Sequence, residues 1–180
     1  MNNDNTSILN WFKSKLKDIS KKTLSVIDKK IKKESSDFSV GSIYMYVYDP
    51  KFKDVLPYYD KFPVIILLQL NTDGKGFLGL NLHYLPPKLR VQFLTKLSSF
   101  VKSDANDIKK IELTYEILKI SKSLKEFRPC LKMYLFDHVR SRITRIPSDE
   151  WYKIILLPTE KFANVSEKKV WQDSLDIINK

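Results

Sequence analysis

Between Phe62 and Leu85 the chain carries a pattern that few folds accommodate. A strand-length apolar run, Phe62 to Asn71, meets the turn Asn71-Thr72-Asp73-Gly74-Lys75-Gly76, and a second run follows from Phe77 to Leu85. Asp-Gly and Lys-Gly in so short a link are hairpin chemistry, because glycine supplies the backbone angles that other residues resist. Two strands joined this way pair antiparallel, since a parallel pair needs a crossover of a dozen or more residues. Ahead of the hairpin, Ser42-Ile-Tyr-Met-Tyr-Val-Tyr48 is rich in β-branched and aromatic residues and reads as a further strand.

After the hairpin the period changes. Pro86-Pro87 ends the third strand, and Leu89, Phe93, Leu94, Leu97 and Val101 recur at helical spacing over Lys88 to Val101. A second helix is expected from Asp107 to Lys122 and a short third over Pro129 to Val139. Arg140 to Ile146 and Tyr152 to Leu157 give two more β signals. The expectation is an α+β fold: a small SH3-like β-barrel of five strands, with a loop over Pro50 to Lys61 after the first strand. A helical insertion (88–139) between strands three and four and a C-terminal helical tail from Thr159 complete it. The 180 residues suit one such domain over 41–180, preceded by an arm and linker over 1–40.

The arm is distinctive. From Thr6 to Lys33, Ile8, Trp11, Phe12, Leu16, Ile19, Ile27 and Ile31 are spaced by threes and fours among lysines, with Thr6 or Ser7 available as N-cap. This is a basic amphipathic N-terminal helix whose narrow apolar face suits docking on protein or nucleic acid better than on a membrane. No apolar run approaches the ~18 residues of a membrane span, and the polar start Met1-Asn-Asn-Asp-Asn is unlike a secretory leader. A lone Cys130 excludes an intramolecular disulfide and a cysteine-based zinc site.

Charge is segregated. The net +11 comes from residues 1–33, with nine lysines against three aspartates, and residues 88–145, with fourteen Lys and Arg against six acids; the other two segments are slightly acidic. Basic charge concentrated in two segments points to a polyanionic partner, nucleic acid first. Lys88, Arg90, Arg128, Lys132, Arg140, Arg142 and Arg145 are the candidate phosphate contacts. Arginine offers planar bidentate donors, and Arg140 and Arg142 share a face if they stand on a strand.

Other constellations carry less chemistry. His83 and Asp60 invite an acid/base pairing, but no nucleophile or pocket is legible beside them, and the preferred reading is a clasp in which the ring bonds backbone or Asp60. The only other histidine is His138, so no metal site and no cofactor is expected. Glu112 and Glu116 stand one helical turn apart among lysines, the pattern of solvated ion pairs. Gly74, Gly76 and Gly79 lack a Gly-Lys-Ser/Thr and a following helix, so they read as a turn and close backbone approaches. Tyr44, Tyr46 and Tyr48 share one strand face; with no interleaved arginine they read as core or subunit contact rather than a base-stacking platform. Tyr44 and Tyr46 join Trp11 and Phe12 as interface candidates.

One order of residues is specific. Tyr48-Asp49-Pro50-Lys51, Leu56-Pro57-Tyr58-Tyr59-Asp60, Phe62-Pro63, Gly76-Phe77-Leu78-Gly79-Leu80-Asn81-Leu82-His83-Tyr84-Leu85-Pro86, Arg90, Trp151 and Leu157-Pro158-Thr159-Glu160 together resemble the DNA end protector family of T-even-like tailed phages. The resemblance covers Gly41 to Trp171 and leaves the lysine-rich helix outside. It implies a virion protein that joins packaged DNA at the head and shields its terminus from exonuclease, present in the host cytoplasm during assembly. It implies no catalysis, and it assigns structural roles to Asp49, Pro50, Pro57, Tyr58, Tyr59, Asp60, Pro63, Gly79, Asn81, His83, Tyr84 and Trp151. The partners expected are double-stranded DNA through its phosphates and other virion proteins, with a homo-oligomer compatible and no membrane. The competing class is a structural head-neck, tail or baseplate component whose barrel and arm make subunit contacts.

Overall fold

Alternation along the first strand sorts its side chains to two sides of a sheet. In the computed structural model, which describes residues 38–99 and 125–180, β1 (Ile43–Met45), β2 (Val64–Leu70) and β3 (Gly76–Asn81) form an antiparallel meander. β4 (Leu131–Leu135) adds to β3, and β5 (Thr144–Ile146) adds to the other side of β1. The order is β4-β3-β2-β1-β5 with every pairing antiparallel, so among the described residues β4 and β5 are the edge strands.

The hairpin turn is built as its residues require. Asn71 N–H donates to the Gly76 carbonyl at 2.9 Å, Gly74 takes φ 68°, and the Asp73 carboxylate accepts from Lys75 N–H at 2.9 Å. β2 carries an irregularity between Leu67 and Gln69, opposite Gly79 and Leu78. Gly76 and Gly79 are both close approaches. A Cβ at Gly76 would collide with the Tyr134 carbonyl across β3 and β4, and one at Gly79 would lie 2.7 Å from Ile65 Cδ1.

Each face of the sheet has its own core. Ile43, Met45, Val64, Ile66 and Leu80 pack with Leu82, Leu85, Phe127, Trp151, Ile154 and Val170, which brings in three helices: α1 (Pro87–Ser99), α2 (Trp151–Leu156) and α3 (Glu167–Ile178). On the other face Tyr44, Tyr46, Tyr48, Ile65, Leu67, Phe77, Tyr134 and Val139 form an aromatic cluster with Phe38 and Phe136 at its margin. Its rings meet mostly edge to face, as at Tyr46–Tyr134 (5.5 Å, 89°) and Tyr48–Tyr134 (4.9 Å, 82°), the arrangement the ring quadrupoles favour.

Several expectations are corrected here. Pro129 to Val139 is not a helix: it is β4 held between two 3-10 turns, Lys125–Cys130 and Phe136–His138. Tyr152 to Leu157 is not a strand, because α2 occupies Trp151–Leu156 and packs on α1. Trp151 Nε1–H bonding the Ile146 carbonyl at 3.1 Å and the burial of Ile154 hold that segment helical. Among the described residues the five-stranded count holds: the strand expected over Arg140 to Ile146 forms in part as β5, and β4, lying inside the expected helical insertion, takes the place of the one expected over Tyr152 to Leu157. Tyr44 and Tyr46 are core residues, not an exposed interface. Trp11, Phe12, the basic N-terminal helix and the helix expected over Asp107 to Lys122 lie outside the described residues. Among the described residues no helix is long and apolar enough to cross a membrane.

Candidate functional site

Where β3 ends, Asn81 turns the chain into the 3-10 turn Leu82–Tyr84 by accepting the His83 backbone N–H on its side-chain oxygen at 3.0 Å. That turn aims the His83 ring inward, where Nδ1 meets Asp60 Oδ2 at 2.6 Å and Nε2 meets Thr159 Oγ1 at 2.9 Å. Asp60 is held in turn: Oδ1 accepts from Phe62 N–H at 2.9 Å, and Oδ2 accepts from Asn81 Nδ2 at 3.0 Å. Asn81 Nδ2 also reaches the Tyr134 hydroxyl at 3.0 Å, and Trp171 Nε1–H donates to the His83 carbonyl at 3.0 Å.

The sequence carboxylate, imidazole, hydroxyl resembles a nucleophile relay in connectivity. Exposure decides against that use: Asp60, His83 and Thr159 are 3%, 1% and 3% accessible, so no substrate reaches the hydroxyl. The relay satisfies buried polar groups and ties the loop before β2 to the end of β3 and to the segment after α2. Backbone bonds run along the same seam, with Lys61 N–H donating to the Lys161 carbonyl at 2.8 Å and Ala163 N–H to the Tyr59 carbonyl at 2.9 Å. His83 and Asp60 therefore form the expected internal clasp.

Arg90 is a second clasp. It is 2% exposed, and its guanidinium donates to Glu160 Oε2 at 3.3 Å and to the Leu85 carbonyl at 3.2 Å. The expectation that it meets phosphate is corrected, because both its charge and its position are taken up inside the fold. Thr159, Glu160 and Trp171, the partners of the two clasps, carry no local signal of that role, since they stand 76, 70 and 88 positions from the residues they bind.

Burial tunes the neighbours. Desolvation pushes the hydroxyls of Tyr134 and Tyr84 well above the usual tyrosine range, with the Asp60 charge adding to it. The Cys130 thiol is pushed up to about 12 by burial, opposed by Lys132 and Arg90. Lys132 lies with its ammonium 4.0 Å from the centre of the Tyr84 ring, and burial lowers its pKa. Among the described residues no group of three His, Cys, Asp or Glu side chains is placed to hold a metal ion.

The remaining basic candidates are on the surface, in two places. Lys88 in the first turn of α1 and Arg128 in the turn before β4 are exposed. Arg140, Arg142 and Arg145 are exposed beyond the other end of β4, separated from Arg128 by a five-residue strand, roughly 16 Å at 3.3 Å per residue. Arg140 and Arg142 precede β5 rather than lying on a strand, so the shared strand face expected for them is not formed; Arg145 alone is in β5, opposite Tyr44. Arg140 Nε lies 3.7 Å from Asp49, and its Nη1 donates to the Asp137 carbonyl at 2.9 Å.

The other motif residues mainly shape the scaffold. Pro50 and Pro63 are buried, while Pro57 is exposed. Tyr58 packs with Tyr84 and Phe162, and the Asp49 backbone N–H donates to the His138 carbonyl at 3.0 Å. The model of a family described as "Phage T4 terminal DNA protecting protein" matches residues 2–174. That match takes in the lysine-rich segment which the motif resemblance leaves outside. No curated protein and no solved structure matches the chain.

Proposed function

The chain belongs to the phage T4 terminal DNA protecting protein family, and on that basis we propose that it binds double-stranded DNA without sequence preference at or near the packaged genome end and shields that end from exonuclease. The family match over residues 2–174 carries the reading. The net charge of +11 supports it, because lysine and arginine give sequence-independent affinity by releasing counterions from phosphate. Arg140, Arg142 and Arg145, with Lys88 and Arg128, are the described residues that would meet the phosphates, whereas Lys132, expected among them, has its ammonium packed on the Tyr84 ring. The protein would act in the virion and be present in the host cytoplasm during assembly. It would act by binding rather than by catalysis. The strand order and the 3-10 turn ahead of β5 support an SH3-like barrel left open between β4 and β5, forming one domain over 41–180 with 1–40 as a basic arm.

Binding to linear duplex DNA should weaken steeply as salt rises. Arg140, Arg142 and Arg145 changed together to Gln should flatten that dependence by about 0.9 in log–log slope for each phosphate they neutralise. Protection of linear but not nicked circular DNA from exonuclease separates end binding from general coating; salt-independent binding, or none, sinks the reading. One observation favours a second role as a virion structural component. Edge strand β4 exposes Leu131 (40%) and Met133 (55%), a surface suited to another head, neck or tail protein or to a second copy.

A further inference from the structure

The loop between β1 and β2 exposes apolar side chains that the fold does not use. Seven residues in a row, Lys51 to Pro57, are exposed, and Phe52 (61%) and Val55 (78%) stand further into solvent than any other large apolar residue described. The loop is nevertheless built. Lys53 N–H donates to the Pro50 carbonyl, and Val55 and Leu56 N–H both donate to the Phe52 carbonyl at 3.1 Å. Its base is pinned by His138 Nδ1, 2.9 Å from the Asp49 carbonyl. The Asp49 carboxylate takes Lys53 Nζ at 3.1 and 3.2 Å and lies 3.7 Å from Arg140 Nε. One acid thus joins the loop to the start of the arginine run.

We propose that the Phe52–Val55–Leu56 tip packs on the terminal base pair of linear duplex DNA while Lys51, Lys53, Arg140 and Arg142 meet the phosphates beside it. The inference rests on the end-binding reading and supplies what that reading lacks. Phosphates are the same anywhere along a duplex, so charge alone cannot select an end. What an end alone displays is the flat, apolar face of its last base pair, ringed by phosphates of both strands. A protruding aromatic with aliphatic neighbours and a cationic base complements that surface, by the physics that lets aromatic side chains stack on bases and apolar wedges enter base steps. The same two segments carry the acids Asp49, Asp54 and Asp137, and Asp49 is already engaged by Lys53 and Arg140. Phe52 also has the Lys51 ammonium 5.3 Å from its ring centre.

The test compares a short blunt duplex with the same duplex closed at both ends by loops, using full-length protein at fixed salt. The wild-type protein should prefer the open duplex. Phe52→Ala combined with Val55→Ser should lower open-end affinity about tenfold, within the range that stacking supplies, while leaving closed-duplex affinity and its salt slope unchanged. Phe52→Trp should preserve or strengthen the preference. Full end preference in the double variant overturns the inference and leaves the reading intact, as does equal weakening on both DNAs. A variant that keeps end preference but no longer binds purified virion proteins assigns the tip to a protein interface and overturns it too. A wild-type protein indifferent to ends removes the reading and the inference together.

Discussion

Replacing Asp60 by Ala removes one acceptor group from three buried donors: Phe62 N–H at 2.9 Å, Asn81 Nδ2 at 3.0 Å and His83 Nδ1 at 2.6 Å. A buried donor left without a partner costs about 1–3 kcal/mol. Because the three share one carboxylate, and their losses do not simply add, the expected destabilisation is about 3–6 kcal/mol, a large part of the ~5–15 kcal/mol that holds a domain of this size. Asp60→Asn separates shape from charge. Its oxygen can still accept from Phe62, and His83 can shift its proton to Nε2, donate to Thr159, and accept on Nδ1. The new amide still faces the Asn81 amide donor, so about 1–3 kcal/mol is lost. Urea unfolding reads both variants, and at an m-value of about 2 kcal/mol/M the Ala variant moves the midpoint by roughly 2 M. An Ala variant within about 1 kcal/mol of wild type at unchanged m would refute the clasp.

Arg90→Met should cost about 3–5 kcal/mol by stranding the Glu160 carboxylate, recover when Glu160→Gln is added, and leave the salt slope of DNA binding unchanged. Gly76→Ala should part β3 from β4, because its methyl meets the Tyr134 carbonyl. Gly79→Ala should cost about 1–3 kcal/mol in thermal or urea unfolding, and Ile65→Val, which deletes the methyl 2.7 Å away, should return part of it. The Cys130 thiol stays protonated in the folded state until about pH 12, whereas an unfolded thiol ionises near about 8.5. Its contribution is therefore fully present below pH ~8.5 and is lost as pH rises through about 12. Stability measured across that window should fall less steeply in Cys130→Ala than in wild type, and thiolate absorbance of the native protein should appear only at its upper end.

The parts of the fold legible in sequence are those whose signal is local. The Asn71–Gly76 turn and the alternation along β1 depend on neighbouring residues, and both form where their chemistry places them. Tyr152 to Leu157 is misread because its aromatic and branched residues favour a strand in isolation, whereas packing of Trp151 and Ile154 against the sheet core fixes it as helix. Pro129 to Val139 fails in the opposite sense, since an edge strand with exposed Leu131 and Met133 lacks the clean alternation of a half-buried one. For the site, Asp60 with His83 is readable because both stand in one dense motif. Arg90 is not, because an arginine in a basic segment looks the same whether it faces phosphate or a carboxylate 70 positions away.

That separation bears on how the protein is made. His83 and Arg90 emerge from the ribosome long before Thr159, Glu160 and Trp171, so a nascent chain that has already paired β1, β2 and β3 still carries an imidazole and a guanidinium without their final partners. Closure must wait until synthesis has passed residue 171. A translation stall before that point would leave the sheet formed but its polar interior open to water, a state that degradation machinery can recognise.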